Sequence, residues 1–121
     1  MMHHLQEIYP FEGCGLMSGK DGIVTAVYPI DNILKSPTAY EMDPRQQAET
    51  MLAIEDNGED ILVIYHSHPA GPMALSPTDI AQAYYPESIY LIVSFASPER
   101  SELKGYRIVE TAVSEIKVSI I

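Results

Sequence analysis

The sequence is poor in cysteine, in basic residues and in long apolar runs. Its 121 residues include one cysteine, Cys14, and seven lysines and arginines against seventeen aspartates and glutamates, which gives a net charge of -10. A single thiol forms no internal disulfide and gives no sign of an oxidising compartment. The negative charge repels the phosphate backbone, so nucleic acid is not an expected partner.

The sequence also lacks the patterns that are typical of membrane-spanning and secretory segments. No strictly apolar run is longer than the five residues of Ile61–Tyr65, whereas a membrane span needs roughly 20 residues. The first twenty residues have neither the basic start nor the apolar stretch of a secretory signal. These absences predict a cytoplasmic protein that does not enter a membrane.

The remaining composition is that of an ordinary globular protein. Apolar residues make up 46% of the chain and charged residues 20%, with seven glycines and nine prolines. A chain of this length buries enough surface for a core without disulfides, and it matches the common size of one domain. We therefore expect a single domain over residues 1–121.

Turn and cap residues divide the chain into helices and strands. Asp21-Gly22 favours a hairpin turn, Asp43-Pro44 is a good helix start, and Asn57-Gly58 is a good helix end. Ile61–Tyr65 is too short for a helix and fits a strand that is covered on both faces. The predicted helices cover 1–9, 43–57 and 76–86, and the predicted strands cover 16–18, 23–30, 40–42, 61–65, 89–95, 103–109 and 113–120. This order predicts an α/β fold, a mixed β-sheet with helices on its faces.

The tetrapeptide His66-Ser67-His68-Pro69 is the most informative segment for function. Residues i and i+2 of an extended chain point to the same side, so both imidazoles can bind one metal ion. Asp79 follows near the start of the helix that Ser76 is expected to cap, and its carboxylate can return to the same place. Two nitrogens and one oxygen leave a fourth position open, as in catalytic zinc sites.

Simpler interpretations exist for each of these residues when it is taken alone. An isolated pair of histidines at a strand end is more often exposed and without function, and Ser76-Pro77-Thr78-Asp79 is also a good capping box. Glu12 would have the raised pKa of a general base if it were partly desolvated, but on its own it fits a solvated loop residue.

The cysteine and the two histidines near the N-terminus give weaker indications of function. Cys14 fits a small buried side chain better than a nucleophile, because no basic residue lies near it in the sequence. His3 and His4 fit solvent-facing residues of a frayed terminus.

Taken together, the motifs closely resemble the JAMM (MPN domain) zinc metallopeptidases in their short bacterial form. The resemblance rests on Pro10-x-Glu12-x-Cys14-Gly15-Leu16, on His66-Ser67-His68-Pro69, and on Ser76 and Asp79 at the family's spacing. Tyr40–Pro44 looks like the extended piece before the family's central helix, and Tyr90–Ser94 looks like its next strand. Leu75 replaces the proline that commonly precedes the serine, which leaves the spacing of the ligands unchanged.

This resemblance implies a three-layer, cytidine-deaminase-like fold and a role for each motif residue. His66, His68 and Asp79 would bind one Zn²⁺ per chain, Glu12 would be the general acid and base, and Ser76 would donate to the oxyanion. The implied reaction is hydrolysis of a peptide or isopeptide bond at the Gly-Gly tail of a ubiquitin-like sulfur-carrier protein, for example the release of cysteine from a carrier–cysteine adduct. Gly71–Leu75 would form one wall of the groove for that tail.

Two alternatives concern the class of protein, and a third concerns the metal. A non-catalytic MPN-type interaction module is one, although every expected ligand is present here. A zinc deaminase is another, but that chemistry requires H-x-E with P-C-x-x-C, and the sequence has neither. Two histidines and a carboxylate suit zinc best and also admit cobalt, nickel or iron in vitro.

Overall fold

The centre of the structure is a six-stranded mixed sheet. The computed structural model describes residues 1–69, 75–81, 83–97 and 100–116. The strands lie in the order β2-β1-β3-β4-β5-β6, and within this sheet β3 and β4 are parallel while the other neighbours are antiparallel. The strands are β1 Cys14–Lys20, β2 Ile23–Ile30, β3 Asp60–His68, β4 Ile89–Ser97, β5 Arg100–Val109 and β6 Ala112–Ile116. The predicted hairpin and the mixed sheet are therefore confirmed.

Three helices accompany the sheet in the described ranges: α1 Met2–Ile8, α2 Pro44–Asp56 and α3 Pro77–Ala81. The Asp43 side chain caps α2 by accepting from the backbone N–H groups of Arg45 and Gln46 at 2.9 and 3.1 Å. Gly58 follows the helix with a φ of +70°, a conformation that glycine adopts without strain. The predicted bounds of this helix are thus correct. No helix in the described ranges has the length and apolar character to cross a membrane.

Helix α3 ends before the predicted boundary at Pro86. The Ala83 N–H bonds to Ile80 three residues back, which tightens the last turn. The Tyr85 N–H donates to the hydroxyl of Tyr90 at 2.9 Å instead of to a helical carbonyl. A side chain from β4 has therefore replaced the helical hydrogen bond, and the sequence pattern gave no indication of this contact.

The predicted strand at 40–42 is wrong, since only an isolated bridge joins Met42 to Asn32. The Glu41 N–H donates to Oδ1 of Asn32 at 3.1 Å, so a side chain takes the place of a strand partner. In contrast, β3 extends beyond the predicted end at Tyr65 and carries both histidines of the motif within it. The predicted continuation of the last strand over 117–120 and most of the predicted wall at 71–75 lie outside the described residues.

Apolar side chains form a core on each face of the sheet. On one face, Ile54 of α2 packs with a cluster that includes Ile64 and Ile92. On the other face, Leu5 of α1 packs with a cluster that includes Tyr65. Neighbouring residues of β3 thus point into different clusters, as a strand's period of two requires. The prediction that β3 is covered on both faces is confirmed, and the fold has three layers.

Helix α1 lies close to the segment that carries Glu12. A Cβ atom on Gly13 would overlap the side chains of Ile8 and Leu5, and one on Gly15 would overlap the ring of Tyr65. His4 is partly buried, with Nδ1 3.1 Å from the Tyr65 hydroxyl, so its interpretation as a solvent-facing residue is wrong. Gly13 therefore allows α1 to pack directly against the Glu12 segment, and Gly15 leaves room for the Tyr65 ring of β3.

Candidate metal centre

The two histidines of the motif meet at the end of β3. Their side chains point to the same side of the strand, and the two Nε2 atoms are 3.0 Å apart. His66 is 1% exposed and His68 is 8% exposed. The simpler interpretation of the sequence, a partly exposed pair without function, does not agree with this burial.

Asp79 reaches the same place from the first turn of α3. Its Oδ1 atom is 3.4 Å from Nε2 of His66, and its Oδ2 atom is 3.2 Å from Nε2 of His68. Ser76 and Asp79 also form the predicted capping box: the Ser76 N–H donates to Asp79 Oδ2 at 2.9 Å, and the Asp79 N–H donates to Ser76 Oγ at 3.0 Å. The cap fixes the start of the helix and thereby directs the carboxylate at the imidazoles.

The donor atoms of the two histidines and of Asp79 lie close together. The distances between His66 Nε2, His68 Nε2 and the Asp79 oxygens are 3.0, 3.2 and 3.4 Å. Tetrahedral zinc with bonds of about 2.0–2.1 Å separates its ligands by about 3.3 Å. The three side chains are thus spaced so that together they could hold one divalent metal ion.

Glu12 is the second carboxylate of the centre. Its side chain is 5% exposed, and a carboxylate oxygen lies within 4.8 Å of ring nitrogens of both His66 and His68. Burial raises the pKa of Glu12 to about 7, an effect that the charge of His68 opposes and the charge of Asp79 reinforces. The interpretation of Glu12 as a solvated loop residue is therefore wrong.

The pKa values of Asp79 and His66 are both lowered, opposite to the shift of Glu12. Burial tends to raise the pKa of Asp79, but hydrogen bonds from both imidazoles outweigh it and hold that pKa well below its usual range. Burial lowers the pKa of His66, which favours the neutral imidazole that binds metals. At neutral pH the centre thus contains a fixed anion at Asp79 and a carboxyl at Glu12 that exchanges its proton easily.

A reciprocal pair of hydrogen bonds joins the Glu12 segment to β3. The Gly13 N–H donates to Oγ of Ser67 at 2.8 Å, and the Ser67 N–H donates to the Gly13 carbonyl at 2.9 Å. Ser67 lies between the two histidines, so the segment and the imidazoles are held in one register. Cys14 pairs with His66 in the sheet, and burial raises the pKa of its thiol to about 12, as fits a structural side chain.

Sequence reasoning missed two residues that contact this centre. The ring of Tyr40 stacks on the ring of His66 with the centroids 4.6 Å apart, and in the described ranges Nδ1 of His66 has no hydrogen-bond partner. The amide of Asn32 donates to the Glu12 carbonyl at 3.0 Å. The sequence indicates Tyr40 only as part of an extended segment. A lone asparagine after a strand, such as Asn32, is typical of an ordinary turn.

Comparison with known proteins decides the family. The family model for prokaryotic homologs of the JAB domain matches residues 1–108 of this chain. The chain belongs to this family. The resemblance to the short bacterial JAMM proteins, first indicated by the motifs, is thereby confirmed.

Individual relatives resemble this JAB-domain chain in sequence and in structure. It is 38% identical over 123 residues to the CysO-cysteine peptidase of Mycobacterium tuberculosis, a match that covers 100% of this chain and 84% of the relative. It is 40% identical over 88 residues to the desampylase of Haloferax volcanii, covering 70% of this chain and 63% of that protein. The solution structure of a protein from Desulfitobacterium hafniense superposes with a TM-score of 0.84 at 37% identity, covering 97% of this chain and 83% of the other.

Proposed function

We propose that this JAB-domain protein is a zinc metallopeptidase that hydrolyses the bond following the C-terminal Gly-Gly of a ubiquitin-like sulfur carrier. The observation that carries the proposal is the cluster of His66, His68 and Asp79: the two Nε2 atoms are 3.0 Å apart, each lies 3.2–3.4 Å from one oxygen of Asp79, and Glu12 is beside them. A relative that matches the whole chain is named a CysO-cysteine peptidase, which supports an adduct of a carrier protein with cysteine as the substrate.

The opposite pKa shifts of the two carboxyl groups support their separate roles. Asp79 stays ionised, as a metal ligand must, whereas Glu12 has a pKa of about 7 and can both take and return a proton. Glu12 also lies within 4.8 Å of the histidine nitrogens, and the motif of the family gives it the role of the base and not of a ligand. We therefore assign His66, His68 and Asp79 as ligands and Glu12 as the general acid and base.

The reaction follows from these assignments. When bound, the zinc ion would polarise the scissile carbonyl and activate the attacking water. Glu12 would accept a proton from that water as the new carbon–oxygen bond forms, and it would deliver the proton to the nitrogen as the carbon–nitrogen bond breaks. A Gly-Gly tail suits this centre because glycines have no side chains to exclude them from a narrow groove.

We expect Ser76→Ala to lower kcat by roughly 10²- to 10³-fold, the usual effect of removing one oxyanion donor. The Ser76 hydroxyl accepts from the Asp79 N–H and keeps its own proton for donation to the oxyanion. Steady-state kinetics on a carrier–cysteine adduct would measure the loss.

The control for Ser76→Ala is a variant that loses a helix cap away from the centre. Asp43→Ala removes the cap of α2 and should cost about 1 kcal/mol of stability, as Ser76→Ala should. Its kcat should be unchanged. Full activity in Ser76→Ala, or an equal loss in both variants, would contradict the oxyanion role.

The test of the proposed function uses a purified sulfur carrier joined through its terminal glycine to cysteine. Mass spectrometry of the zinc-loaded reaction should show free cysteine and a carrier that ends in Gly-Gly. The same adduct with the tail changed to Ala-Ala should react far more slowly, because the methyl groups obstruct a narrow groove. Adducts that stay intact while unrelated peptides are cleaved would overturn the substrate assignment, and carrier binding without any turnover would support the non-catalytic module.

A further inference from the structure

We infer that Asn32 is a positioning residue that holds Glu12 in place for proton transfer and, with the same amide, holds the segment that packs Tyr40 on His66. This role rests on the proposed function, in which Glu12 is the group that moves the proton. Asn32 is not part of the motif that indicated the family, and it contacts no group that would react.

All four hydrogen bonds of the Asn32 side chain go to backbone atoms. Its Nδ2 donates to the carbonyls of Glu12 and Ala39 at 3.0 and 3.1 Å. Its Oδ1 accepts from the N–H groups of Leu34 and Glu41 at 3.0 and 3.1 Å. Both donor positions of the amide and both lone pairs of its oxygen are therefore in use. A side chain engaged in this way is fixed in one orientation.

Glu12 depends on this loop because it lies before the first residue of β1, Cys14, and has no strand partner of its own. Its N–H donates to the carbonyl of Ser36 at 2.8 Å, and its carbonyl accepts from Asn32. Both backbone groups of Glu12 are thus bonded to residues of one loop, 32–36. The position of the buried carboxyl beside the histidines is set by these bonds together with the Gly13–Ser67 pair.

Two of the four hydrogen bonds, one from each end of the amide, hold the segment around Tyr40. The Ala39 carbonyl and the Glu41 N–H flank Tyr40, and both bond to Asn32. The ring of Tyr40 then covers the ring of His66. Among side chains of this size only that of asparagine donates two hydrogen bonds and accepts two. The side chain of aspartate has no N–H group, and that of glutamine is longer by one methylene.

The experiment compares Asn32→Asp with Thr38→Ala in zinc-loaded protein and the carrier–cysteine adduct. Asn32→Asp keeps the shape and the acceptor for Leu34 and Glu41, but it turns an oxygen towards the carbonyls of Glu12 and Ala39. Misplacement of a reacting group by a distance on the order of 1 Å costs up to about 10²-fold, so we expect kcat to fall roughly 10- to 100-fold. The KM should change by less than about twofold, since the loss falls on proton transfer and not on substrate binding.

Thr38→Ala removes only an exposed hydroxyl contact with Ser36 in the same loop and should leave kcat unchanged. Hydrogen exchange of the backbone N–H groups, measured without substrate, gives a second test. The Gly13 N–H should exchange faster than in the wild type in Asn32→Asp, and at the wild-type rate in Thr38→Ala. If Asn32→Asp does not fold, Asn32→Ala removes all four side-chain bonds without adding charge, and at least the same loss of kcat is expected.

The outcomes separate this inference from the function on which it rests. An active wild type with unchanged kcat in the Asn32 variants would overturn the positioning role and leave the peptidase assignment standing. A loss confined to KM or to zinc affinity would also overturn it. A wild type that cleaves no adduct would overturn the proposed function, and the role of Asn32 with it.

Discussion

Glu12→Gln should lower kcat for the carrier–cysteine adduct by about 10²- to 10⁴-fold, the range that general acid–base catalysis contributes. Glutamine has the same shape and fits the same buried position, but it can neither accept a proton from water nor return one to the amine. The KM and the zinc content should be unchanged, because the proposed ligands are other residues. Kinetics and metal analysis by mass spectrometry on the same preparation would measure both.

The same variant should be more stable than the wild type when both are metal-free at pH 8. The pKa of Glu12 rises on folding from the ordinary 4.5 to about 7, so the folded state binds the proton more tightly than the unfolded state. The resulting stabilisation is complete below pH 4.5 and is lost as the pH rises through 7, a difference of up to about 3 kcal/mol. Glutamine stays neutral and avoids this loss. Urea unfolding should show its advantage at pH 8 and none near pH 4.5.

Two results would contradict the role of Glu12. One is a variant that retains wild-type kcat, which would move the proton transfer to another group. The other is a wild type and a variant whose unfolding free energies depend on pH in the same way, which would mean that Glu12 is solvated in the folded protein. The two measurements are independent, since the stability arm needs neither substrate nor metal.

Local rules were sufficient to predict the half of the centre that lies on β3 and α3. The period of two along a strand places His66 and His68 on one side, and the S-x-x-D cap places Asp79 in the first turn of the helix. The cap and ligand interpretations of this segment are compatible, because a cap fixes the start of the helix and so directs the Asp79 carboxylate. The structure shows one carboxylate in both contacts, with Oδ2 bonded to the Ser76 N–H and Oδ1 facing His66.

The other half of the centre depends on contacts between distant residues. Gly13 and Ser67, 54 positions apart, fix the register between the Glu12 segment and the histidines. No periodicity or cap signals such a pair, so only the family resemblance connected Glu12 to the site. Asn32 shows the same limit. Its side chain takes the place of a strand partner near Met42. The segment Tyr40–Met42, which the sequence predicts as a strand, therefore forms only an isolated bridge.

Removal of the metal should abolish activity and lower the thermal stability, and added zinc should restore both. At a free zinc concentration of 100 times the dissociation constant, binding to the folded state alone contributes about 2.7 kcal/mol. The physical reason is the charge of the centre: ionised Asp79 lies against the buried imidazoles of His66 and His68, and a cation would be attracted by the carboxylate and bound by all three side chains. Differential scanning calorimetry before and after chelation would measure the shift in Tm.

The decisive comparison is between two histidine variants. His68→Gln removes a proposed ligand and should fold, bind less than one zinc per chain, and show almost no rise in Tm when zinc is added. His4→Gln removes the histidine that contacts Tyr65 on the other face of the sheet, and it should respond to zinc like the wild type. An equal response in both variants would place zinc elsewhere on the protein. Because the ligands come from β3 and α3 together, loss of one ligand should remove the stabilisation and the catalysis in the same variant.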